Sequence, residues 1–187
     1  RLRMDIVTMK LLEDHIRLPL DILRYINTFI KYRLLTDDNI KQAIKLWFER
    51  NKVCKFLYGH ISYWNVSKVT NMKWAFFERK CNFDLSRWDV SNVFYMTGMF
   101  SEAKDFHGNL NNWNVSNVRD MSHLFSKASN FNCNINRWNV SNVKDMKNMF
   151  EGVTSFTCDI SLWDVSNVTD MSWMFYKAEK SNCNLRD

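Results

Sequence analysis

One phrase is written five times in this chain. It reads WNVSKVTNMKWAF from Trp64, WDVSNVFYMTGMF from Trp88, WNVSNVRDMSHLF from Trp113, WNVSNVKDMKNMF from Trp138 and WDVSNVTDMSWMF from Trp163, at spacings of 24, 25, 25 and 25 residues. A fixed period in this range limits the possible folds more than composition does. Each unit cannot bury its apolar face alone and is completed by stacking on the next.

With each Trp as position 0, position −3 is Ile or Leu and position +2 is Val in every unit. Ile/Leu-x-x-Trp-x-Val has the spacing of a leucine-rich-repeat strand, with Trp and Val pointing inward and the residues between them outward. Val at +5, Met at +8, mostly Met or Leu at +11, Phe at +12 and mostly Ala at +15 follow in steps of three and four, the spacing of a helical or 3₁₀ turn. The expected fold is an α/β repeat solenoid, a leucine-rich-repeat-like right-handed coil over residues 61–187. Each of its five repeats contributes one short parallel strand and one helical turn. Trp64, Trp88, Trp113, Trp138, Trp163, Phe100, Phe125, Phe150 and Phe175 form its core. The recurrence of the Met and aromatic stripe in every unit marks it as packing and not a cofactor box.

The polar letters are periodic too: Asn or Asp at +1, Ser at +3 and mostly Asn at +4, residue types that satisfy turn backbone and bond along a stack. The outward columns form a candidate partner face. It comprises Tyr63, Arg87, Asn112, Arg137 and Leu162 at −1, and Asn65, Asp89, Asn114, Asn139 and Asp164 at +1, together with the serines at +3. Tyr63, Arg87 and Arg137 are the expected anchors.

Residues 1–60 follow another grammar and are expected to form a helical N-terminal cap. A helix over 18–35 opens at Pro19, and a second over 36–59 is capped near Thr36 to Asp38; together they would cover the open edge of the first repeat. The net charge of +6 is concentrated here, with 12 Lys/Arg against 7 Asp/Glu, whereas residues 61–187 carry 14 against 13. No repeat position carries a basic stripe, so nucleic acid is not an expected partner. No apolar run reaches about 18 residues, so membrane insertion is not expected either. The start lacks the cleavage pattern of a signal peptide. Phosphate loops, nucleophile elbows, HExxH, Cys-x-x-Cys and phased histidines are missing, so the chain reads as a non-enzyme without metal or cofactor. Cys133, Cys158 and Cys183 share position +20 and are expected to be free thiols. With sequons at Asn65, Asn114, Asn139 and Asn167 inside the stack, they point to a reducing setting and not to secretion.

The unit W-[ND]-V-S-N-V-x-x-M-x-x-M-F-x-x-A resembles the BspA-like, mycoplasma-lipoprotein-type leucine-rich repeat over residues 61–187. The lead-in from Asp37 to Met72 is similar to the version found in nucleocytoplasmic large DNA viruses and some algae. LPLDILRYI, residues 18–26, is similar to the start of an F-box. The resemblance implies a non-enzymatic interaction or scaffolding module, in host cytoplasm or a virion, whose partners are proteins, including other virion proteins. An F-box-type adaptor for a ubiquitin ligase and a surface adhesin are the alternatives.

Overall fold

The computed structural model describes residues 34–179. The first expected helix and the F-box-like segment fall outside these residues, apart from Leu34 and Leu35, which are not helical. The second expected helix is two: α1 (Ile40–Glu49) and α2 (Asn51–Tyr58), separated at Arg50. In an unbroken helix the Asn51 N–H would bond the Trp47 carbonyl; here the Asn51 side-chain amide donates to it at 3.2 Å instead, a local competition that favours a break. Ile40, Ala43, Ile44, Leu46 and Trp47 give α1 its buried stripe. Gly59, at φ 73°, closes α2 as only a residue without Cβ does freely.

These helices lie across the first repeat. Trp47 meets Trp64 and Phe83 edge-on at 6.0 and 5.9 Å, and Phe48 meets Phe76 at 6.4 Å. The join is sealed by the backbone before α1. Leu35 N–H bonds the Asn65 carbonyl at 3.0 Å, and the Asp37 carboxylate accepts from Thr70 N–H, Thr70 Oγ1 and Asn71 N–H at 2.8, 2.6 and 3.0 Å. In later repeats the +6 N–H bonds the +6 carbonyl of the repeat before, as Phe94 does to Thr70 at 2.8 Å and Arg119 to Phe94 at 2.9 Å. Thr70 has no repeat before it, and Asp37 supplies the missing acceptor.

The repeats stack, but not as expected. Among the described residues there is no β-strand, so the α/β leucine-rich-repeat-like coil with a parallel strand per repeat is not the architecture of this chain. Parallel pairing is one residue wide and falls at +7, as isolated bridges from Asn71 to Tyr95, Asp120, Asp145 and Asp170 in turn. The Ile/Leu-x-x-Trp-x-Val segment is made of turns: Trp88 N–H bonds the Leu85 carbonyl at 3.0 Å and Val93 N–H bonds Val90 at 2.9 Å, with the same pair of bonds in the next three repeats. The cause is side-chain competition with any ladder. Asp84, Asp89 and Asp120, at −4, +1 and +7, each accept the N–H two residues on, from Ser86, Ser91 and Ser122 at 2.9, 3.1 and 3.0 Å. Three such turns in each of the last three repeats, and two in the Trp88 repeat where Tyr95 stands at +7, leave no room for a strand.

The expected helical turn is absent for a different reason. Positions +10 and +14 take left-handed backbone in all five repeats: Trp74, Gly98, His123, Asn148 and Trp173, then Glu78, Glu102, Lys127, Gly152 and Lys177, at φ between 54° and 65°. The chain closes i to i+3 turns from +8 to +11 and from +12 to +15, each with its third residue at positive φ. The N–H groups at +8, +10, +12 and +14 are thereby turned outward to the carbonyls at +7, +9, +11 and +13 of the following repeat. Met96, Gly98, Phe100 and Glu102 reach Asp120, Ser122, Leu124 and Ser126 at 2.8 to 2.9 Å. In the first four repeats these bonds offset a backbone that costs bulky residues about 1–2 kcal/mol each; Trp173 and Lys177 take the same backbone without them.

Inside, the columns stack in register. Trp113 lies 6.4 Å from Trp138, and Trp138 6.5 Å from Trp163, at interplanar angles of 4° and 2°. Each indole N–H bonds the −3 carbonyl of the repeat before, Trp113 to Leu85 at 2.9 Å and Trp138 to Leu110 at 3.0 Å. Phe76, Phe100, Phe125 and Phe150 are wholly buried; Phe175, in the last described repeat, is half-buried.

Candidate functional site

The residues just before each buried Trp are carried outward by the same turn that drives the indole in. Tyr63, Arg87, Asn112, Arg137 and Leu162 are all exposed, one per repeat, with Tyr63 and Leu162 at 67% and 71%. The Arg87 guanidinium lies 5.0 Å from the centre of the Tyr63 ring, so two of the three expected anchors are brought together on adjacent repeats. Arg137 stands two repeats further along the same row.

The +1 column, Asn65, Asp89, Asn114, Asn139 and Asp164, is also exposed, but one oxygen of each is committed. It accepts the N–H of the serine at +3 at 3.1 Å in every repeat, and the serine hydroxyl at 2.8, 2.6 and 2.7 Å in Asn65, Asp89 and Asn139. Bonds from Ser91 and Ser166 hold the Asp89 and Asp164 carboxyls below their ordinary range. These acids are therefore anionic acceptors with one oxygen facing outward. At +4, Asn92, Asn117, Asn142 and Asn167 donate to the carbonyls of Ser67, Ser91, Ser116 and Ser141 at 2.7 to 2.9 Å and belong to the scaffold.

A second exposed feature escapes the column logic. Trp74 and Trp173 at +10 are 46% and 60% exposed, accompanied by Phe77, Tyr95 and Tyr176. The Trp74 ring lies flat over Gly98, where a Cβ would meet it at 2.2 Å, and reaches to 6.2 Å from the His123 ring. The available signal was a tryptophan outside the Trp column at a position otherwise filled by Gly, His and Asn.

Among the described residues, no group of three His, Cys, Asp or Glu is placed to hold a metal ion. Within the same residues, no helix is long and apolar enough to cross a membrane. Cys54, Cys81 and Cys133 are free thiols. Burial pushes Cys54 and Cys81 up to about 12 and Cys133 to about 11, the unreactive state of packed thiols. Cys183 lies outside the described residues.

No curated protein and no solved structure matches this chain. The model of a family described as "Mycoplasma protein of unknown function, DUF285" matches it twice, over residues 39–128 and 106–187, taking in α1, α2 and the whole stack. The chain belongs to the DUF285 family.

Proposed function

We propose that this protein is a non-enzymatic interaction module that binds a protein partner along the row formed by Tyr63, Arg87, Asn112, Arg137 and Leu162. The observation that carries the reading is the regular exposure of one side chain per repeat directly outside the buried Trp stack, with Arg and Tyr at its start. Such residues are favoured as interface anchors. The acids Asp89 and Asp164 beside the row suit a partner of mixed charge. Capture of an identified partner should fall at least about tenfold with Arg87→Glu or Arg137→Glu while the thermal melt stays that of the parent, the behaviour of an interface anchor and not of a core residue. Equal capture by both variants refutes the row.

The module is further proposed to work in host cytoplasm or within a virion, on the similarity of its lead-in to repeats of large DNA viruses. Proteomics of purified particles tests this, and its failure there leaves the binding row to be judged by the arginine variants alone.

A further inference from the structure

The exposed columns at −1 and +1 stand on either side of the buried Trp column in all five repeats. Residues that flank an extended one point the same way, and Trp64 is extended at φ −65° and ψ 136°, so the two columns make a pair of ridges on one face. The ridges run nearly straight. Stacked Trp rings differ by 15° between Trp64 and Trp88, by 4° between Trp113 and Trp138 and by 2° between Trp138 and Trp163. Each ridge places one side chain per repeat, at the spacing of about 4.8 Å that parallel pairing sets. Charge is sorted between them: Arg87 and Arg137 are on the −1 ridge, Asp89 and Asp164 on the +1 ridge. Among the described residues none of these four forms an ion pair, and Arg87 is turned onto the Tyr63 ring of the preceding repeat. Asp89 spends one oxygen on Ser91 and keeps the other outward.

We propose that this face binds a second copy of the chain, the two stacks lying side by side in the same direction about a twofold axis along their length, so that each −1 ridge meets the other copy's +1 ridge. Charge complementarity selects this occupant and this orientation. A twofold axis along the stack sets every repeat against the same repeat of the second copy, and whatever −1 makes with +1 is made twice. Arg87 then faces Asp89 of the second copy, Arg137 faces Asn139 and Asn112 faces Asn114, and no like charges meet; Leu162 against Asp164 is the one pair without complementarity. Stacks meeting in opposite directions would set −1 against −1 and bring Arg87 onto Arg137. The rows stay in step because both copies carry the same spacing. The aligned backbones repel only weakly, their ends facing each other across water. About ten residues a side fall short of the 20–30 of a stable interface, so the dimer is a weak one, half-formed at about 10–100 µM. The inference rests on the reading of the −1 row as the binding surface and names its partner.

The test is sedimentation equilibrium of the full chain over about 5–500 µM, a range that brackets the expected midpoint. The parent should pass from monomer to dimer. Arg87→Glu and Asp89→Arg should each weaken association at least about tenfold, because each sets like charges together twice across the axis. An equimolar mixture of the two variants should recover a dimer of one copy of each, since every crossed pair between positions 87 and 89 is then of opposite charge. That recovery also shows that both variants are folded. Three results overturn the proposal: association unchanged in both variants, a mixture that stays monomeric, and tighter association with Arg87→Glu, which would mean stacks running in opposite directions. A parent that stays monomeric at 500 µM overturns it too. The −1 row is then still judged by whether Arg87→Glu loses capture of a different protein, so the two failures are read separately.

Discussion

Replacing Asp37 by Ala removes one carboxylate and with it three hydrogen bonds to the first repeat, at 2.8, 2.6 and 3.0 Å. A hydrogen bond to a charged acceptor contributes about 1.5–3 kcal/mol net where the donor is otherwise left dry. Asp37 is exposed, however, so water takes over the freed N–H groups of Thr70 and Asn71 and the loss is discounted to about 1–2 kcal/mol in all. The effect depends on pH. Burial raises the Asp37 carboxyl, but the bonds from Thr70 and Asn71 together with the nearby Lys41 outweigh it and hold the group below its ordinary range. A carboxyl lowered on folding stabilises fully above its unfolded value, near 4, and loses that contribution as pH falls through the folded one. Urea melts of parent and Asp37→Ala should therefore differ by a constant amount from pH 8 to about 5 and converge below about 4. Asp37→Asn, which keeps an acceptor without the charge, should fall between them. Coincident midpoints at pH 7, or a gap that persists undiminished at pH 3, would show that Asp37 is not the acceptor that replaces a preceding repeat.

Trp113→Ala and Trp138→Ala should each cost about 3–5 kcal/mol, since each empties a buried ring packed between repeats and leaves the Leu85 or Leu110 carbonyl without its indole partner; denaturant melts that overlay the parent refute the packing. Glu78, at φ 56°, makes its forward bond through the backbone, so Glu78→Gly should keep that bond, release left-handed strain and stabilise by about 1 kcal/mol; calorimetry showing no rise in Tm counts against strain at +14. Asn142→Ala should cost about 1 kcal/mol through loss of the bond to the Ser116 carbonyl, and Asn142→Asp should cost more at pH 7 by setting a carboxylate against that oxygen. Melting temperatures in any other order would mean that the +4 ladder carries no stability.

What could be read directly from the letters was the inward set. Trp at 0, Val at +2 and +5, Met at +8 and Phe at +12 are imposed by neighbours on both sides, and so recur wherever a neighbour exists. The backbone carrying them was not legible, because a spacing of three between Ile and Trp suits a turn closed by Trp N–H on the Ile carbonyl as well as a strand. The asparagines and aspartates at −4, +1 and +7 held the deciding information. They close local turns, whereas the asparagines at +4 bond between repeats, and nothing in their letters separates the two uses. The left-handed positions were beyond reach from the sequence. Only Gly98 and Gly152 among the ten are glycine, and residues as unlike as Trp74 and Lys127 are held there by bonds to a repeat some 25 residues away. The outward row at −1 followed from the Trp phase alone, since a residue adjacent to a buried ring in a tight turn has only solvent to face.

A helix exposes its unpaired N–H groups where it starts; this stack exposes them where its described repeats end. Every junction carries four backbone bonds pointing from the earlier repeat to the later one, against one or two running back. Peptide dipoles of about 3.5 D, which largely cancel in ordinary sheets, therefore add along the array. The carbonyls of Asn71, Lys73, Ala75 and Phe77 form its negative pole and the N–H groups of Met171, Trp173, Phe175 and Lys177 its positive one. Residues 61–179, neutral by count with 12 basic against 12 acidic side chains, thus make an electrically polar stack whose two ends attract opposite charges.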